Sequence, residues 1–243
     1  MKRKFIVCVT ALFLSMGGVL GFAAPAPQSN EKTPIEIVAD SLDYDSASGI
    51  INAQGNVVIT QNNSVIKGQT AQYNSKAQES TITGGVVAVK DDITLTANEV
   101  RGYENNTHLI ATGNPVLTKQ DSTLAGPHIE YYSTNQYAVV TGGALMTMPD
   151  GTMNADKIDA FYNDDRAYGY GNVHLVSDTK KLDATADLLT YTGFKAGQGI
   201  AVLTGNARAV QAGNTITGDK LTLHLDDKAI DATGRPRLVI IPE

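Results

Sequence analysis

The sequence predicts an all-β fold: an elongated stack of bent antiparallel strands, forming two sheets that face each other across an apolar interior like a folded V, built from seven repeats of about 29 residues. Three observations predict it. A glycine recurs as Gly55, Gly84, Gly113, Gly142, Gly171, Gly205 and Gly234, in steps of 29, 29, 29, 29, 34 and 29 residues. A fixed period of this size marks a repeat architecture. Side chains around each glycine alternate between apolar and mixed with period two, which places them on a strand with one buried face. No segment long enough for a major helix carries a 3.6-residue period.

Each glycine marks a bend. The residue after it is Asn56, Gly85, Asn114, Gly143, Asn172, Asn206 or Arg235, and glycine and asparagine tolerate the positive φ that a bulge needs. The second residue after it is apolar (Val57, Val86, Pro115, Ala144, Val173, Ala207, Pro236), and so is the fourth (Ile59, Ala88, Leu117, Met146, Leu175, Ala209, Leu238). The place before it is threonine in five of the seven copies, which suits a strand. A second strand lies upstream. In six copies an apolar residue stands 18 before the glycine (Ile37, Ile66, Leu95, Leu124, Met153, Ile216) and a small one 16 before it (Ala39, Gly68, Ala97, Gly126, Ala155, Gly218). Another apolar residue stands 13 before it (Leu42, Ala71, Val100, Ile129, Ile158, Leu221). In the remaining copy Ala186 and Leu189 fill the last two roles. The step of three makes this strand switch register too, at polar pairs such as Asp40-Ser41, Asp156-Lys157 and Asp219-Lys220. Polar turns such as 45–49, 103–106 and 163–166 join the strands, and short turns favour antiparallel pairing. The extra residues near 193–199 read as an enlarged loop.

Lys2, Arg3 and Lys4 precede an apolar run from Phe5 to Leu14 and a small-residue stretch ending at Ala24. This is a secretory signal pattern. It divides the chain into a cleaved signal peptide (1–23), a Pro/Ser/Asn/Lys linker (24–34) and the repeat domain (35–243). An uncleaved anchor is the alternative, since the segment is about long enough to span a bilayer. The one cysteine, Cys8, lies within it, so the mature chain has neither a disulfide nor a cysteine ligand. Beyond the three leading basic residues the chain holds 16 basic and 25 acidic residues, net −9. A nucleic-acid partner would want a basic patch, so none is expected.

Little in the chain suggests catalysis. His108, His128, His174 and His224 are far apart and occupy different repeat positions, so no metal is expected unless the fold gathers them. Asp40, Asp156, Asp187 and Asp219 recur at the bend, where aspartate makes turns by bonding local backbone. Asp91-Asp92, Asp164-Asp165 and Asp226-Asp227 read as solvated turns. The tyrosines, with Tyr44, Tyr73, Tyr131 and Tyr191 at equivalent places, read as rim or core rather than a ligand-stacking ladder. No phosphate loop or nucleophile elbow is present. The chain is expected to be no enzyme and to need no cofactor.

What remains is the interior. Its parity selects Ile37, Leu42, Val57, Ile59, Leu95, Leu117, Leu124, Ile129, Met146, Met153, Ile158, Val173 and Leu175 as candidates to line an apolar groove suited to acyl chains. For any one of them, packing a dry core is the alternative. The two terminal strands, read as Ile35–Tyr44 and Arg237–Ile241, offer unpaired backbone groups at Ile35, Ile37, Leu238, Val239 and Ile240. Such edges invite strand addition.

The segments Leu203-Thr204-Gly205-Asn206-Ala207 and Asn214-Thr215-Ile216-Thr217-Gly218-Asp219-Lys220-Leu221-Thr222, with Gln211 between them, resemble the OstA-like, LptA-type family of lipopolysaccharide-transport proteins. Ala53-Gln54-Gly55-Asn56-Val57-Val58-Ile59-Thr60-Gln61 and Met153-Asn154-Ala155-Asp156-Lys157-Ile158 are similar to the family's inner repeats. The resemblance covers Ile35 to Pro242. It implies a twisted β-jelly roll in the periplasm that binds the lipid A part of lipopolysaccharide and carries it from inner to outer membrane. It also implies LptC-like inner-membrane and LptD-like outer-membrane partners and head-to-tail self-association. A secreted structural or glycan-binding β-solenoid with a dry core, or an anchored LptC-like subunit, are the alternatives.

Overall fold

In a computed structural model, residues 34–193 and 199–241 are described. The expected signal peptide, nearly all of the linker and the centre of the enlarged loop lie outside them. The described residues form eighteen strands and one antiparallel sheet. They are β1 (Glu36–Val38), β2 (Ser41–Asp45), β3 (Ile50–Gln61), β4 (Ser64–Asn74), β5 (Glu79–Lys90), β6 (Ile93–Tyr103), β7 (His108–Thr112), β8 (Val116–Lys119), β9 (Ser122–Ala125), β10 (His128–Tyr132), β11 (Tyr137–Met148), β12 (Gly151–Phe161), β13 (Arg166–Ser177), β14 (Leu182–Thr192), β15 (Ile200–Gln211), β16 (Asn214–His224), β17 (Ala229–Thr233) and β18 (Arg237–Val239).

The eighteen reduce to fourteen bent strands. β1 with β2, β7 with β8, β9 with β10, and β17 with β18 are the two arms of one strand each, pairing with different parts of the same neighbours. Three of these four interruptions contain a proline: Pro115, Pro127 and Pro236. Proline has no N–H for the ladder, so pairing lapses there and resumes after the bend.

The bend is built from residue chemistry. Opposite β4, Gln54 faces Thr70 and Val57 faces Gly68, so Gly55 and Asn56 together face the single Gln69. This is a β-bulge, which bends the strand that carries it. Gly55 and Asn56 have φ of +77° and +48°, and all seven glycine positions repeat the pair of positive φ values. A Cβ on Gly55 or Gly171 would also strike the side chain of Asp40 or Asp156. The recurring aspartates do more than bond local backbone. Asn56 Nδ2 donates to Asp40 Oδ2, Asn172 to Asp156 and Asn206 to Asp187, each at 2.9 Å, and Arg235 reaches Asp219 at 3.4 Å. Each bond ties the bend of one strand to the bulge of the next. The small residues lie on the inside of the bend. A Cβ on Gly68 would come within 2.6 Å of Ile82 Cγ2 and 3.0 Å of the Thr83 carbonyl oxygen.

The bends fold the sheet into two facing halves. The first half holds β2, β7, β10, β17 and the adjoining arms of the long strands; the second holds β1, β8, β9, β18 and the remaining arms. Turns of four residues close the free border of the first half, and turns of two residues close that of the second. Asn62, Asp91, Gln120 and Ala212 open two-residue turns with positive φ, as tight hairpins require. The five additional residues do not all fall in the enlarged loop. Two lengthen the turn between β13 and β14, and three the turn between β14 and β15.

The terminal strands are shorter than expected. The first is broken at Ala39-Asp40, and the last ends at Val239. Each has a neighbour on one side only. Beyond Val239, the Ile241 N–H turns aside to donate to Asn214 Oδ1 at 3.2 Å.

Candidate functional site

Two cross-strand rows of side chains face each other between the halves. The second half carries Ile37–Ile59–Ile66–Ala88–Leu95–Leu117–Leu124–Met146–Met153–Leu175–Ala184–Ala209–Ile216–Leu238, each residue directly opposite the next across a strand pair. The first half carries Leu42–Ala53–Ala71–Ile82–Val100–Ala111–Ile129–Val140–Ile158–Gly169–Leu189–Leu203–Leu221–Ala232 in the same way. Both rows run from the first edge strand to the last without a charged residue. Directly opposed side chains are the contact unit of a sheet, so each row is a continuous apolar track.

Eleven of the thirteen sequence-selected lining residues are buried: Val57, Ile59, Leu95, Leu117, Leu124, Ile129, Met146, Met153, Ile158, Val173 and Leu175. Ile37 is half-buried against the same core. Leu42 differs. It is 50% exposed, because β2 has no neighbour on its outer side. The buried residues pack against one another and leave almost no surface, so the interior is filled in this state rather than an open trough. Ile66, Ile82, Leu189 and Leu203 are buried in the same rows. Ile66 and Leu189 share repeat positions with members of the sequence-selected set, although that set leaves them out.

The free borders meet along a seam of polar and aromatic groups. Tyr73, Tyr131, Tyr162 and Tyr191 are buried on the inner side of the first half's border. Burial first, and then Asp92 and Asp91, push the Tyr131 hydroxyl up to about 12. Burial likewise raises Tyr162 and Tyr191. Lys119 Nζ donates to Asp92 Oδ1 at 3.0 Å on its own border and, across the seam, to Gln136 Oε1 at 2.9 Å, and stands 5.8 Å from the Tyr162 ring centroid. Lys119 is almost fully buried, and its ammonium is tolerated there because it is paired. Asp92, expected as a solvated turn residue, supplies that pairing. Lys90 Nζ reaches Ser133 Oγ at 3.4 Å across the same seam. Lys90 and Lys119 are one repeat apart, which is the sequence signal for this role.

A second aromatic group lies on the outer face. Tyr103, His108, Tyr132, Tyr137, Phe161 and Tyr168 succeed one another across β6, β7, β10, β11, β12 and β13, with centroids 4.3–5.8 Å apart. His108 and Tyr132 stack at 4.3 Å with 6° between planes. From His108 to Phe161 the rings stack on one another, and Tyr168 meets Phe161 edge-on, so the row ties neighbouring strands together. Beside them Glu130 accepts from Tyr132 Oη at 2.9 Å and lies 3.3 Å from the ring nitrogens of His108 and His128. Burial works against its charge, yet donation from Tyr132, His128 and His108 holds the carboxyl below its ordinary range. Asp159, buried nearby, accepts from Lys157 Nζ at 3.0 Å. His174 and His224 pair with Asp183 and Asp231. Among the described residues no group of three His, Cys, Asp or Glu side chains is placed to hold a metal.

The edge candidates divide. Ile35 and Ile37 are half-buried against the core, while Leu238, Val239 and Ile240 are exposed.

A comparison with curated proteins gives no match. Among solved structures the chain is similar to LptH, the LptA-homologous periplasmic component of the lipopolysaccharide transport device of Pseudomonas aeruginosa. The two are 15% identical over 88% of this chain and 99% of that one, with a TM-score of 0.17. The family described as LptA/(LptD N-terminal domain) LPS transport protein matches residues 36–78, 65–166 and 135–229, overlapping stretches that span nearly the whole repeat region. The chain therefore belongs to the LptA/LptD N-terminal domain family of lipopolysaccharide-transport proteins.

Proposed function

We propose that this chain carries lipopolysaccharide through the periplasm, from the inner toward the outer membrane, with the acyl chains of lipid A held between the two half-sheets. The observation that supports this most is the pair of uncharged tracks running from one edge strand to the other. An acyl chain entering between them exchanges side-chain contacts for chain contacts and remains out of water, at about 0.8 kcal/mol per buried methylene. The halves part at the seam, where discrete polar contacts such as Lys119–Gln136 and Lys90–Ser133 join the borders. The bulge line acts as the hinge. No step in this passage breaks a covalent bond in the cargo, and none calls for a metal or a cofactor.

Photo-crosslinkers at Ile59 or Leu117 are expected to capture lipopolysaccharide, and those at the neighbouring Thr60 or Thr118 to capture none. Equal capture from both parities would end the proposal. The filled interior favours a second reading, a structural or glycan-binding protein with a dry core. Mass spectrometry of chloroform extracts from the purified protein separates the two, because that reading expects no bound lipid.

The edges supply the assembly. The exposed run Leu238-Val239-Ile240, and Ile35 and Ile37 at the other end, present unpaired backbone for strand addition. The proposed partners are an LptC-like protein, an LptD-like protein and further copies of this chain, head to tail. Val239→Pro is expected to weaken self-association and capture of an LptC-like partner while the six preceding units remain folded by circular dichroism. Unchanged association would sink the edge-pairing model.

A further inference from the structure

Tyr73 and Tyr131 occupy the same place in the repeat, and the residue midway between them, 29 from each, is Gly102. The inner border thus lacks one ring. Two residues beyond the next gap in the series, at Ala160, the border carries the buried Tyr162. At Gly102 the nearest groups are Ser80 and Asn106, with Ser80 Oγ donating to Asn106 Oδ1 at 2.7 Å. Beneath this spot is a small apolar slot, lined from the second half by Ile66, Ala88, Ile93 and Leu95 and from the first by Leu109 and Tyr131. It lies directly on the buried track. Above it is a polar vestibule of Asn62, Asn63, Ser64, Asn105, Thr107 and Lys90. Ser64, Lys90 and Asn106 border both spaces.

Lys90 supplies the charge. Its only side-chain bond among the described residues is the long contact to Ser133 Oγ, and no carboxylate among them pairs with it. A half-buried ammonium without a counter-charge, ringed by amide and hydroxyl groups, complements a phosphorylated sugar. The slot below complements a hydrocarbon chain. The two chemistries adjoin in the order in which a phosphorylated glycolipid presents them.

Resting on the reading that lipid A travels between the half-sheets, the geometry points to a side port at Gly102, between the 62–63 and 104–107 turns. There an acyl chain of lipid A passes into the track while Lys90 and the surrounding asparagines hold its sugar phosphate. Loading then does not depend on threading the chain from an uncovered end.

The test is the rate of lipid A uptake by the full chain, followed by stopped-flow fluorescence, with the final amount bound measured separately. Two variants are made in a Cys8→Ser background, folded, and only then capped with a bulky maleimide. Ser64→Cys lies on the port; Asp121→Cys lies on an exposed turn of the same border. Capping at Ser64→Cys is expected to slow uptake at least about tenfold, roughly 1.4 kcal/mol on the barrier, and capping at Asp121→Cys to leave it unchanged. Lys90→Gln is expected to slow phosphorylated lipid A several-fold and its dephosphorylated form far less. If both capped proteins load at the uncapped rate, the port is wrong while the track stands. If no variant and no parent chain takes up lipid A, both fall.

Discussion

The same repeat position behaves differently in the middle of the sheet and at its edge. Leu117 and Leu238 occupy one place in the repeat, yet Leu117 is 0% and Leu238 57% exposed. Ile129 and Leu42 share another place, at 0% and 50%. Apolar character and parity are matched within each pair. Only the number of neighbouring strands differs, two against one. Alternation therefore decides which way a side chain faces, and its neighbours decide whether water reaches it.

The comparison sharpens first through truncation. Leu117→Ala is expected to cost about 2–5 kcal/mol, the transfer and cavity terms together. Leu238→Ala should stay within about 0.5 kcal/mol. Urea unfolding of the two variants checks this, and equal losses would mean that the edge strand is covered in solution. The bulges give the next effect. Gly171 has φ +70° and the Asp156 carboxylate where a Cβ would stand, whereas Gly143 has φ +99° and open space there. Both alanine variants carry backbone strain of about 1–2 kcal/mol; Gly171→Ala is expected to lose more, in the same assay, because Asp156 must also move. Below these comes the bend bond. Asp156→Ala, in the middle, should cost about 1 kcal/mol through loss of the Asn172 bond. Asp40→Ala, on the edge strand, should cost less by thermal melting.

The mildest test uses pH. An unfolded tyrosine ionises near 10, and the folded Tyr131 is raised to about 12. Its contribution is therefore complete below pH 10 and is lost as pH rises through 12. Denaturant midpoints are expected to fall from pH 10 to 12, and Tyr131→Phe, in the middle of the seam, should flatten that limb. An unchanged slope would remove Tyr131 from the account.

Most of the architecture could be read from the sequence because each bend leaves a mark in residue type. A Gly followed by Asn, a small residue 16 places earlier and an aspartate at the facing position are all consequences of positive φ and close packing. The prolines at three of the four breaks, Pro115, Pro127 and Pro236, are visible in the sequence, but their effect is not, since proline is permitted at bulges as well as at breaks. The exposure of Leu42 is not legible, because parity carries no information about how many strands lie alongside. The seam was hardly legible. Lys119 and Gln136 come from opposite borders, and nothing local in either segment says that they meet. The absence of a ring at Gly102 could be seen only by asking what the tyrosine series lacked.

The turns carry one more consequence. Five extra residues between Gly171 and Gly205 change two turns, yet Leu188, Leu189, Thr190 and Tyr191 still stand opposite Thr204, Leu203, Val202 and Ala201. Length added at a border leaves the pairing of the flanking strands intact, so it does not alter the span from edge to edge. That span changes only when a whole unit is gained or lost, in increments of about 10 Å per strand pair. The molecule behaves as a ruler with fixed graduations. A longer relative would be built by duplicating a whole unit, with the two edge strands copied unchanged.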